Sequence, residues 1–118
     1  MNHFSESEFF CPCGCGGDFS DMDMEFTRRL DIARTWAKIP FILTSSIRCK
    51  KHNISVGGSE MSSHMEGCAV DIACENAYHR FKIFQSLLDV GFNRIGFGAN
   101  FIHVDSDGDK PKELIWTY

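Results

Sequence analysis

An aspartate stands in the middle of an apolar run, Ala69-Val70-Asp71-Ile72-Ala73. Alternation predicts a strand here, with Ala69, Asp71 and Ala73 on one face and Val70 and Ile72 on the other, toward a helix. Burying a carboxylate without a partner costs several kcal/mol. A fold of this chain must therefore bring a cation to Asp71, and the small alanines leave room for an ion beside it. Two cations can serve. One is the guanidinium of Arg48. The other is a metal ion shared with His64 and His103, which lie in Ser63-His64-Met65-Glu66-Gly67 and Phe101-Ile102-His103-Val104-Asp105. Two imidazoles and one carboxylate leave a fourth tetrahedral position open, the ligand pattern of a zinc site with room for water. If the two strands are neighbours, Asp71 and His103 approach across the sheet. His64 then comes in from the end of a long loop, and Gly67 helps the chain turn back.

The remaining elements follow from periodicity. Residues 11–18 form a Cys/Gly-rich loop, and Ser20 or Asp21 can cap the helix after it. Phe26, Leu30, Ala33 and Ala37 recur at helical spacing, so 22–38 reads as an amphipathic helix ended by Pro40. Phe41 to Thr44 reads as a buried strand. Residues 45–66 are polar, turn at Gly57-Gly58, and read as one long loop of the functional kind. A second helix is expected over 76–90, with Tyr78, Phe81, Phe84 and Leu88 on its apolar stripe and Gly91 as its stop. Strands are expected at 94–97 and 101–105, paired as a hairpin, and at 115–117. Two main helices on a small antiparallel sheet make an α+β fold, with 1–118 as one domain.

Net charge is −4 and the pI about 5.7. Binding to nucleic acid or to an anionic membrane would call for a basic excess, so neither partner is expected. No segment approaches the ~20 apolar residues of a bilayer span. The start, Met1 to Glu8, has neither a basic nor an apolar stretch, so synthesis in a cytoplasm without a secretory signal is expected. Six cysteines are present. Cytoplasmic synthesis favours reduced thiols. The 11/13/15 spacing lacks the two-residue gap of common structural zinc sites, although a second metal or a disulfide stays open. There is no phosphate-binding glycine loop, no nucleophile elbow and no His-Glu-x-x-His helix.

Four segments, in order along the chain, resemble the zinc D-alanyl-D-alanine carboxypeptidases, a family that includes phage endolysin peptidases and shares its fold with the Hedgehog signalling domain. They are Phe4 to Phe9 with the Cys/Gly loop; Thr44 to Asn53 with Val56-Gly57-Gly58; Ser62 to Ile72; and Phe101 to Asp105. The resemblance implies that His64, Asp71 and His103 bind Zn²⁺ and that Arg48 points into the site. A fixed guanidinium there can stabilise the oxyanion formed when water attacks a peptide carbonyl.

Some family members carry an acid or a histidine just before the last zinc histidine. Here Asn100 and Phe101 stand there, and neither can take a proton. Asp105 is then the nearest candidate general base, with a positioning role as its alternative, and Glu66 is a weaker one. Ser62, Ser63 and His52 are candidates for substrate contact or for holding the loop. Trp116 is read as core ahead of substrate platform. The substrate implied is a peptidoglycan stem peptide, cut by a monomer at the cell wall after release from a host cytoplasm, or carried in a phage particle. The other reading is a non-catalytic, zinc-stabilised module of such a particle.

Overall fold

The computed structural model describes residues 3–118; Met1 and Asn2, which begin the segment read above as non-secretory, lie outside the described residues. The elements run α1 (Met24–Ala37), β1 (Leu43–Ser45), α2 (Lys50–Ser55), β2 (Ala69–Ala73), α3 (Ala77–Asp89), β3 (Arg94–Phe97), β4 (Phe101–Asp105) and β5 (Leu114–Thr117), with two short 3-10 turns before α1. The five strands form one sheet in the order β1-β2-β4-β3-β5. The first four pair antiparallel. The last, β5, lies parallel to β3, so the α+β fold carries a mixed sheet rather than a purely antiparallel one.

Helix α1 forms as its periodicity predicts, with Phe26, Leu30, Ala33 and Ala37 buried. Its cap is Asp23, whose carboxylate accepts from the Phe26 amide at 2.9 Å, not Ser20 or Asp21. Asp18 and Asp21 instead cap the 3-10 turn before it. Lys38 closes α1 in the left-handed conformation. Its inward face and that of α3 cover the sheet face carrying Val70, Ile72, Ile95, Ile102 and Val104, and these residues make one core.

In α3 the expected stripe is displaced. Tyr78, Phe81 and Leu88 are exposed and Phe84 is half-buried against the core, while Ile83, Ser86 and Leu87 are buried. The helix carries two overlapping apolar rows about one residue apart, and period alone does not choose between them. Contact with α1 and the sheet selects the row of Ile83 and Leu87. Leu87→Ala should therefore cost about 2–5 kcal/mol, whereas Tyr78→Ala should stay within about 0.5 kcal/mol. Chemical denaturation of the two variants measures both.

The long loop contains a helix that hydrophobic patterning does not reveal. Helix α2 is six residues long and buries only Asn53. At the end of the loop Gly67 sits at φ +71°, and a Cβ there would lie 2.1 Å from the Asp21 carbonyl oxygen. The Gly67 carbonyl accepts from the Asp23 amide at 2.8 Å. The chain thus turns back beside the start of α1, as the glycine predicts, and delivers His64 to the open face of the sheet.

Candidate metal centre and cleft

The pairing of β2 with β4 sets Asp71 directly opposite His103. His103 Nδ1 lies 2.9 Å from Asp71 Oδ1, and His64 Nε2 lies 3.3 Å from the same oxygen. These three ligand atoms all lie within 4.8 Å of one another. Metal bonds of about 2.0–2.1 Å in a tetrahedron separate neighbouring donors by about 3.3 Å, so the set is already gathered to the right scale.

The far nitrogens of both imidazoles are committed. His64 Nδ1–H donates to the Ser46 carbonyl at 2.8 Å, and His103 Nε2–H donates to Asp105 Oδ2 at 2.7 Å. A metal ion would bind His64 Nε2 and His103 Nδ1 in place of a proton; without one, these nitrogens can donate to Asp71. A second partner that fixes the ring and its tautomer is the usual companion of a metal-binding histidine. The residues present therefore fit a zinc ion.

Burial opposes the charge on Asp71, but the imidazoles of His103 and His64 hold its carboxyl well below the usual carboxylate range. Burial opposes the charge on His103 too, and Asp105 and Asp71 overcome it and raise the imidazole's pKa. Asp105 is also held low, because His103 and Arg94 outweigh its burial.

Asp105 is 2% exposed, and both its oxygens are engaged. Besides His103 on Oδ2, it accepts on Oδ1 from Arg94 Nε at 2.7 Å and from the Asp107 amide at 3.2 Å. Arg94, which sequence reasoning missed, is buried. It also donates to the Pro111 carbonyl and lies 5.1 Å from the centre of the Trp116 ring. Its signal was available: a cation in the otherwise apolar strand Arg94-Ile-Gly-Phe needs an acid of its own.

Arg48 is held at three points. Its Nε donates to Ser45 Oγ at 3.1 Å, Nη1 donates to Asn53 Oδ1 at 3.2 Å, and Nη2 stands 3.7 Å from Asp71 Oδ2. Arg48, one of the two cations foreseen for Asp71, thus stands beside it. Asn53 is itself fixed by a bond from its Nδ2 to the Ser59 carbonyl. Gly58 packs so close that a Cβ would lie 2.1 Å from Asn53 Oδ1 and 3.0 Å from Arg48 Nη1. If Arg48 has the role the resemblance implies, Gly58→Ala should shift it and lower turnover by about 10–10²-fold with metal content unchanged, because small misplacements at a reacting centre are that costly. Metal analysis beside steady-state kinetics checks this.

A cleft of about 360 Å³ opens over the three ligands, lined by Arg48, Ser62, Ser63, Trp116 and Tyr118 among others. It continues past Arg48, Asp71 and Phe101 into a second hollow lined by His52 and Glu75. The two serines line the cleft, and each hydroxyl oxygen has a partner within the chain. Ser62 Oγ accepts from the His64 amide, and Ser63 Oγ donates to Asp107 Oδ2 and accepts from Lys110. Glu66 is exposed and lies outside both hollows. Trp116, expected in the core, is half-buried on the cleft wall, its ring centre 5.6 Å from that of His103.

A family model described as Peptidase M15 matches residues 2–105. The chain belongs to the peptidase M15 family. Peptidases of this family are zinc-dependent, so the gathered His-Asp-His set belongs to a metallopeptidase fold. No curated protein matches the sequence. Among the described residues, no helix is long and apolar enough to cross a membrane.

Proposed function

We propose that this M15 chain hydrolyses stem-peptide bonds of peptidoglycan, as a D-alanyl-D-alanine carboxypeptidase or an endolysin-type endopeptidase. The observation that carries the reading is the convergence of His64 Nε2, His103 Nδ1 and Asp71 Oδ1, with each imidazole's other nitrogen donating to a fixed acceptor. Zinc bound there would acidify a water and polarise the scissile carbonyl. Arg48, anchored by Ser45 and Asn53, faces the same cleft and would stabilise the developing oxyanion. Trp116 and Tyr118 supply an aromatic wall for the peptide, and His52 reaches it at the outer end of the cleft. Ser62 and Ser63 hold the loop that carries His64.

Asp105 acts here as a positioning residue, not the general base expected from its place after His103. A base needs a free oxygen facing the attacking water, and both of its oxygens already accept hydrogen bonds. The substrate class rests on the family. The acidic chain and open cleft suit a monomer acting on a peptide rather than on nucleic acid or membrane. Action at the wall after release from a host cytoplasm, or from a phage particle, completes the proposal.

One observation favours the alternative of a non-catalytic, zinc-stabilised particle component. Among the described residues, the acid lining the cleft that no other side chain engages is Glu75, exposed at its outer end. A cell-wall zymogram separates the two readings. The peptidase clears the gel and His103→Ala does not. Zinc-loaded protein that binds walls without clearing them belongs to the alternative.

A further inference from the structure

The cysteines set aside in the sequence converge. Cys11, Cys13 and Cys15 come from the N-terminal loop, and Cys49 arrives from the cap of α2, so that the four sulfur atoms lie within 4.8 Å of one another. Cys11 and Cys13 are 3.5 Å apart, Cys13 and Cys49 3.4 Å, and Cys11 and Cys49 3.8 Å. A disulfide needs about 2.05 Å, so none of these pairs is bonded. Four thiolates around zinc at about 2.3 Å would stand about 3.8 Å apart along each edge, close to what is seen.

The backbone around the sulfurs is arranged for charge. Three amides point at three of them: Cys49 N–H at Cys11 Sγ, His52 N–H at Cys49 Sγ and Gly17 N–H at Cys15 Sγ, each at 3.4 Å. Such donors stabilise thiolates and are the usual surroundings of metal-bound sulfur. The loop itself is closed by a bond from the Cys11 amide to the Gly17 carbonyl at 2.9 Å and by a bridge between Phe10 and Asp18. Hydrophobic burial does not explain the gathering, because Cys13 and Cys15 are exposed.

We propose that Cys11, Cys13, Cys15 and Cys49 form a second, structural zinc site. Four thiols lose four protons to solvent, four Zn–S bonds form, and the site carries a net charge of −2. An all-thiolate tetrahedral set selects zinc among the common divalent ions, and four protein ligands leave no position for water or substrate. The missing two-residue gap in 11/13/15 misleads because the fourth ligand comes from the other side of the fold. Cys49 adjoins Arg48 in sequence, so the ion would staple the N-terminal loop to the segment that carries the oxyanion-facing arginine.

The test is metal analysis of the full chain, purified under reducing conditions, with cobalt substitution as a second readout. Two zinc ions per chain are expected, falling to one in Cys13→Ser/Cys15→Ser and to one in His64→Ala/His103→Ala. Cobalt-loaded wild type should show thiolate-to-cobalt charge-transfer absorption. That band should persist in the histidine variant, which leaves the cysteine set untouched. The wild-type spectrum keeps the test valid if the cysteine variant does not fold. No thiolate–cobalt band in wild type, or four cysteines freely reactive toward a thiol reagent in zinc-loaded protein, overturns the proposal.

Discussion

Arg48→Lys will lower kcat by about 10²-fold, the scale of losing one oxyanion donor, while zinc stays bound at the histidines. Lysine keeps the charge, so a simple ion pair with Asp71 would survive the change. What it loses is the planar fork, which here donates in two fixed directions, to Ser45 and to Asn53, while its remaining nitrogen stays near Asp71 and the cleft. An ammonium on a flexible stem cannot hold those directions together. Steady-state kinetics on a soluble stem peptide, with metal content measured on the same sample, reads the effect. Near-normal turnover would make Arg48 a structural partner of Asp71.

Asp105→Asn will weaken zinc binding by about 10–100-fold, the usual cost of losing the partner that orients a metal-binding histidine. The carboxylate accepts on both oxygens, from His103 on one and from Arg94 and the Asp107 amide on the other. Asparagine offers one acceptor and one donor, so one of these N–H groups must face an NH₂. It also leaves the buried Arg94 without its counter-charge, a loss of about 3–5 kcal/mol in stability. A general base would behave differently: zinc would stay bound with its affinity unchanged while turnover collapsed. Equilibrium zinc competition and denaturation of the one variant decide between these outcomes.

The approach of Asp71 to His103 was legible because the strand period is two and Asp71 could not be buried alone. Alternation placed Asp71 and His103 on matching faces, and one antiparallel pairing sufficed to join them. Helix α1 was legible because Phe26, Leu30, Ala33 and Ala37 recur at helical spacing and are the apolar residues it buries. Four features were not. Helix α2 has no apolar stripe, since it is held by the Asn53 bonds and the Cys49 cap. The buried face of α3 depends on which neighbour it meets. The partners of Asp105 were hidden because residue spacing gives its face but not what meets it, and Arg94 lies eleven positions away on the neighbouring strand. The parallel placement of β5 is likewise set by where the 106–113 connection leads, and this brings Trp116 to the cleft.

Digestion of defined peptidoglycan stem peptides by zinc-loaded, chelator-stripped and zinc-restored protein, followed by mass spectrometry, decides whether the chain is a zinc peptidase of the cell wall. The products should together gain one water at a single peptide bond. Cleavage should be lost on stripping, regained on restoring zinc, and absent in His64→Ala at every zinc level that restores the wild type. Intact peptides after incubation with protein whose His64, Asp71 and His103 site is shown to hold zinc would contradict it.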